Sequence, residues 1–132
     1  MKPNRVLVHG DTLTTMMATM ACYFRRIPVG HVEAGLRSGD IYSPCSEEVN
    51  RKVTGTIADL HFAPTATAAA AMCSENIAET TIHVTGNTVI DALMFAQAKV
   101  SAEPALAPAI APLKARFAGK RIIAVTAHRR EN

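Results

Sequence analysis

Asp11 and Glu33 each follow a short apolar run, Val6-Leu-Val-His-Gly and Ile27-Pro-Val-Gly-His-Val, and a polar loop later come Glu47, Glu48 and Arg51. Open α/β sheets place their ligands in the crevice beyond the carboxyl ends of the strands. Two runs that each deliver an acid to one crevice therefore point to proton transfer on a bound ligand. Arginine close to those acids supplies a fixed positive charge that suits an anionic ligand or a carboxylate partner.

Each residue has a second reading. Asp11 either serves the ligand or caps the helix expected to begin near Thr12–Thr14, a common role for aspartate. Glu33 comes two residues after His31 on the same apparent strand, so both side chains should share one face. A carboxylate among Val29, Val32 and Ala34 is costly to bury unless paired or protonated, and partial burial raises its pKa toward the range of a general acid or base. Its alternative is an ion pair with Arg37. Glu47 and Arg51 are four apart on an expected helix, so they share a face and can pair, either as a site or as a solvated surface pair. Glu48 then falls on another face and is read as ordinary.

At the far end, His128, Arg129 and Glu131 follow another apolar run, Arg121-Ile-Ile-Ala-Val-Thr126. A histidine and arginines at a strand-to-helix junction can cradle phosphate with help from backbone N–H groups, or simply form a basic tail. His61 and His83 are single histidines in or beside strands and are read as structural. No G-x-G-x-x-G or Walker sequence occurs, which leaves dinucleotides and nucleoside triphosphates without a motif. No His, Cys or Asp cluster has metal-ligand spacing, so the site is expected to be metal-free and to need no cofactor.

The elements that must position these groups are legible from periodicity. Strands are expected at Arg5–His9, Pro28–Val32, Leu60–Ala63, Thr81–Thr85 and Arg121–Thr126, with helices at Thr14–Arg25, Glu47–Ala58, Thr65–Asn76 and Thr88–Val100. Thr12 or Thr14 can cap the first helix and Thr65 the third, with Ser46 a weaker cap for the second. Alternating strands and helices predict an α/β fold with a Rossmann-like, doubly wound parallel sheet. Prolines at 104, 108 and 112 forbid a regular helix through Glu103–Pro112 and mark a linker, with a short helix allowed after Pro112. The expected organisation is one domain over residues 1–100, a linker over 101–119, and the first strand of another domain over 120–132. Ending in a first strand, the chain reads as a fragment.

At 132 residues the chain is long enough for one core and too short for two full α/β domains. The net charge of +3 comes from scattered basic pairs without a long basic block, and with few aromatics this disfavours nucleic acid. Three cysteines without regular spacing make no disulfide framework. Cys22 and Cys73 are expected to pack as small hydrophobes, and Cys45 lies in the polar loop. No apolar run reaches membrane-spanning length and no signal-peptide pattern opens the chain, so a cytoplasmic location away from membranes is expected.

His9-Gly-Asp-Thr12, His31-Val-Glu-Ala-Gly-Leu-Arg37, Glu47-Glu-x-Asn-Arg51, Thr85-Gly-Asn-Thr-Val-Ile-Asp91 and Thr126-Ala-His-Arg-Arg-Glu-Asn132 occur in that order. This combination closely resembles the non-hydrolysing UDP-N-acetylglucosamine 2-epimerases, over essentially the whole chain. The resemblance implies part of a two-domain architecture like that of the B-type glycosyltransferases, with this chain truncated at both ends. It implies interconversion of UDP-N-acetylglucosamine and UDP-N-acetylmannosamine by elimination of UDP to 2-acetamidoglucal and re-addition, usually in a homodimer serving cell-surface polysaccharide. By motif, Asp11, Glu33 and Glu47 match the catalytic carboxylates and Arg51 an arginine of the same site. His128 matches the histidine on the UDP phosphates, while Arg129 and Glu131 would fall near a regulatory nucleotide-sugar site. Cys45-Ser46 departs from the aromatic residue and proline usual before the Glu-Glu pair. Alternatives are a hydrolysing 2-epimerase, a B-type glycosyltransferase half, and a non-catalytic fragment that associates with a partner chain. By itself the chain is expected to be inactive.

Overall fold

Apolar runs of four residues cannot bury both faces alone; they pair side by side, and the longer segments between them must cross over as helices. The computed structural model describes residues 3–126 and shows this arrangement. In chain order it contains β1 (Val6–His9), α1 (Leu13–Phe24), β2 (Val29–Val32), α2 (Glu47–Ile57), β3 (Leu60–Ala63), α3 (Ala66–Ser74), β4 (Ile82–Val84), α4 (Thr88–Ala102) and α5 (Ile110–Arg116). The chain divides into two units, Met1–Thr88 and Val89–Asn132. The division falls after Thr88, the first residue of α4, the helix expected to close the first domain.

The strands form one parallel sheet in the order β1-β2-β3-β4, with Val6 opposite Val29, His31 opposite His61 and His61 opposite Ile82. Right-handed crossovers in an order that never reverses carry every connecting helix to one face. The buried clusters agree. Val8 and Val29 pack with Cys22 of α1 and Ala58, while Ala34 and Ala63 pack with Ala68 and Met72 of α3. Full burial of a side chain such as Met72 contributes roughly 1.5–3 kcal/mol. The α/β Rossmann-like fold is therefore as expected, and the described residues supply one winding of it. On the other face Leu7 is 63% exposed, and Gly30 lies between the side chains of Leu7, Leu60 and Phe62.

Helix starts follow their caps. Thr12 Oγ1 accepts from the Thr15 amide at 3.2 Å and Thr65 Oγ1 from the Ala68 amide at 3.1 Å. Ser46 caps no amide with its side chain; it stands at φ +76°, a left-handed conformation that breaks the loop sharply into α2.

Three expectations are corrected. No strand forms over Arg121–Thr126, and Ile123 and Val125 are 78% and 89% exposed; a strand lacking a neighbour has nothing to bond its backbone to. The helix expected after Pro112 begins earlier, at Ile110. Pro112 then sits in the first turn, where its missing N–H had no intrahelical acceptor. Cys73 is exposed on α3 and does not pack in the core, whereas Cys22 is buried.

Candidate functional site

The carboxyl ends of β1 and β2 lie side by side, because His9 pairs with Val32. Asp11 leaves the first end through Gly10 (φ +70°), and Glu33 leaves the second at φ +65°. With Thr12 occupying the cap position of α1, the side chain of Asp11 is left for another partner. That partner is Arg51, whose Nη1 donates to Asp11 Oδ2 at 2.7 Å. The Asp11 backbone is held from the same helix, as Asn50 Nδ2 donates to its carbonyl at 2.8 Å. One residue back, His31 Nε2 lies 2.8 Å from the Gly10 carbonyl. A carbonyl only accepts, so that nitrogen carries the ring proton.

Arg51 is held on its other edge by Glu48. Nη2 and Nε reach Glu48 Oε2 at 3.0 and 3.3 Å. The Ser38 amide donates to the same oxygen at 3.2 Å and the Gly39 amide to Oε1 at 3.3 Å. Glu48 is 0% exposed and bonded to Arg51, so its reading as an ordinary residue on another face of the helix is wrong. Burial pushes this carboxyl up, but the Ser38 amide, the Arg51 guanidinium and the Gly39 amide together prevail and hold it below its ordinary value.

The expected Glu47–Arg51 pair is not made. Arg51 turns inward to Glu48, three residues before it, because that side of α2 is the packed one: Asn50, Thr54 and Gly55 are buried there too. Glu47 stays half-buried in the first turn, its carboxylate accepting from Ser46 Oγ at 3.4 Å.

Glu33 is not on the strand beside His31, because β2 ends at Val32 and the left-handed turn redirects the side chain. Its Oε2 lies 3.5 Å from His9 Nε2. The suspected pairing of Glu33 with Arg37 is absent. Arg37 instead makes a two-pronged bond to Glu75, Nε to Oε1 at 2.9 Å and Nη2 to Oε2 at 2.7 Å. That bond, against the opposing push of burial, holds the Glu75 carboxyl below its ordinary value. The turn before Arg37 is sealed by Gly35 at φ +88°, where any Cβ would run into the Ala68 carbonyl.

His31 and His61 face each other across β2 and β3, both 1% exposed. Burial pushes His31 down to about 4, helped by His61 and Arg37 and opposed by the Gly10 carbonyl and Asp11. His61 is lowered by the same cause, burial, against the Ala58 backbone and Asp59. Both rings are therefore neutral near pH 7.

The structure thus brings Asp11 and Arg51 into direct contact, sets Glu33 at the neighbouring strand end, and leaves Glu47 at the start of α2. His128, Arg129 and Glu131 lie outside the described residues. Sequence reasoning missed Glu48, Asn50 and the Ser38 and Gly39 amides. Only Glu48 had a signal, its three-residue spacing from Arg51. Among the described residues no group of three His, Cys, Asp or Glu side chains could hold a metal ion. Among them no helix is long and apolar enough to cross a membrane.

A family model of UDP-N-acetylglucosamine 2-epimerases matches residues 1–132. The chain is 50% identical to a probable UDP-N-acetylglucosamine 2-epimerase of Ralstonia solanacearum over 99% of its own length and 35% of the relative's. It is 49% identical to the UDP-N-acetylglucosamine 2-epimerase of Bacillus subtilis, covering 99% of this chain and 32% of that one. The crystal structure of the UDP-GlcNAc 2-epimerase from Neisseria meningitidis bound to UDP-GlcNAc superposes with a TM-score of 0.85 at 44% identity, over 99% of this chain and 35% of that one. The chain spans about a third of the length of the curated relatives it matches.

Proposed function

The chain belongs to the UDP-N-acetylglucosamine 2-epimerase family, and we propose that it carries the acid–base part of an enzyme interconverting UDP-N-acetylglucosamine and UDP-N-acetylmannosamine. The observation that carries this reading is the pair of acids at adjacent strand ends, Asp11 held by Arg51 at 2.7 Å and Glu33 beyond Val32. Relatives bearing the same name, and a similar structure solved with UDP-GlcNAc bound, support the substrate.

The reaction asks for little beyond carboxylates and cations. A carboxylate takes the C2 proton of the sugar while the C1–O bond breaks and UDP departs with the electron pair, leaving 2-acetamidoglucal. UDP then adds back at C1 as a proton is delivered to C2 from the other face. Asp11, Glu33 and Glu47 are the proposed proton-transfer groups. Arg51 orients Asp11, so that the acid meets the sugar in one geometry. His128 is the proposed contact to the diphosphate, with Arg129 and Glu131 near a regulatory nucleotide sugar. No metal or organic cofactor enters the scheme. A homodimer in the cytoplasm, supplying N-acetylmannosamine for cell-surface polysaccharide, completes the proposal.

We expect the 132-residue chain alone to lack turnover, since it spans about a third of its relatives. Proton spectra of the sugar in D2O test both statements. The chain alone should leave C2 unlabelled; with the remaining two thirds of a relative supplied, deuterium should enter C2 and the manno epimer accumulate. Asp11→Asn and Glu33→Gln should each abolish that exchange. Silence from the completed protein sinks the epimerase reading, and exchange by the chain alone sinks the claim that it is incomplete.

A further inference from the structure

Glu48 is the least expected member of the cluster, because an isolated buried carboxylate is costly and is retained only where its partners demand it. Its partners here come from two places. The amides of Ser38 and Gly39 belong to the loop after the Glu33–Arg37 turn, and the guanidinium of Arg51 lies one turn along α2.

The geometry of that guanidinium is directional. A planar fork that gives its Nε hydrogen and one Nη2 hydrogen to one carboxylate can aim only its far end, Nη1 and the second Nη2 hydrogen, elsewhere. In this chain Nη1 aims at Asp11 Oδ2. Fixing one edge therefore fixes the direction of the other, and with it the carboxylate of Asp11. Without Glu48 the guanidinium could swing to meet Asp11 by either edge.

We propose that Glu48 is a positioning residue: clamped by the Ser38 and Gly39 amides, it sets the plane of Arg51 and through Arg51 the orientation of Asp11. The same clamp ties the loop between β2 and α2 to the acid beyond β1, so that a shift of that loop reaches Asp11 without touching it. This assignment rests on Asp11 being a proton-transfer group as proposed above.

The experiment is magnetic resonance on the isotope-labelled 132-residue chain without substrate, so its failure is separate from that of the epimerase reading, which deuterium exchange tests. Wild type should give a protected Arg51 Nε–H signal. E48Q, equal in shape but uncharged, should lose that signal and move the Asp11 carboxyl carbon signal, with the amide spectrum of the sheet retained. A Glu48 that merely fills space would leave the Arg51 and Asp11 signals in place in E48Q, and that result overturns the proposal. If E48Q does not fold, acid titration of wild type replaces it. The Ser38 and Gly39 amide shifts report protonation of Glu48, and the Arg51 Nε–H signal should vanish in the same step. Its persistence through that step overturns the proposal equally.

Discussion

Helices α2 and α4 invert the usual relation between polarity and burial. α2 reads Glu-Glu-Val-Asn-Arg-Lys-Val-Thr-Gly-Thr-Ile, yet Glu48, Asn50, Arg51, Thr54 and Gly55 are all buried. α4 carries Ile90, Leu93, Met94 and Phe95, every one of them more than half exposed, and among the described residues it buries nothing. Hydropathy states what a helix can afford to bury. Which face is covered depends on what the chain brings against it, and polar groups go inside when each finds a partner. For α2 that covering comes from α1 and β2.

The largest test of this contrast removes a partner from α2. Arg51→Ala leaves Glu48 buried with only backbone amides, and should cost roughly 3–5 kcal/mol in urea unfolding, the range for orphaning one member of a buried ion pair. A cost below about 1 kcal/mol would mean the cluster is wet and the contrast is only apparent.

Acid provides the next test. A His31 pKa lowered in the folded chain to about 4 from 6.5 means that the unfolded chain binds the proton first. Stability is therefore full above pH 6.5 and falls as the pH drops from there toward 4, by up to about 3 kcal/mol. Glu48 and Glu75, lowered from 4.5, contribute stability that is lost only below that value, so their loss follows that of His31. Urea midpoints between pH 7 and 5 should fall for wild type and stay flatter for His31→Gln. Parallel curves would reject a neutral buried His31.

A smaller effect is expected at the cap of α1. Thr12→Ala removes the oxygen that accepts from the Thr15 amide, and should cost about 1 kcal/mol. Smallest is the change on α4. Leu93→Glu should change the unfolding free energy by less than about 0.5 kcal/mol, as for any exposed site. A marked loss there would show that α4 is covered in solution, and the comparison would have to be redrawn.

The same contrast explains what could be read from residues alone. Strand Leu60–Ala63 was legible to the residue, and the other helices and strands of the sheet to within a residue or two, because periodicity and caps are local. Asp11 and Glu33 were legible as strand-end acids for the same reason. Glu48 was not. Glu47 and Glu48 both stand within reach of Arg51 on a helix, and only the packing of α2 on α1 and the sheet decides which is turned inward. Cys73 failed likewise: its alanine-rich surroundings look buried, but the inward face of α3 is the one bearing Ala68 and Met72. The strand at Arg121–Thr126 failed because a strand is a property of a pair, and an apolar run names no neighbour.

The strand order has a consequence for how the sheet is assembled in time. Each strand lies beside the one that precedes it in the chain. Among the four described strands no pairing has to wait for a distant segment, so each loop closed in pairing them is only one crossover long. A chain leaving the ribosome can lay β2 on β1, then β3 on β2, then β4 on β3, in the order in which they are made. Nascent chains stalled after α3 should already protect the amides shared by β2 and β3 from hydrogen exchange; exposure of those amides until β4 is complete would show that the sheet closes as one step.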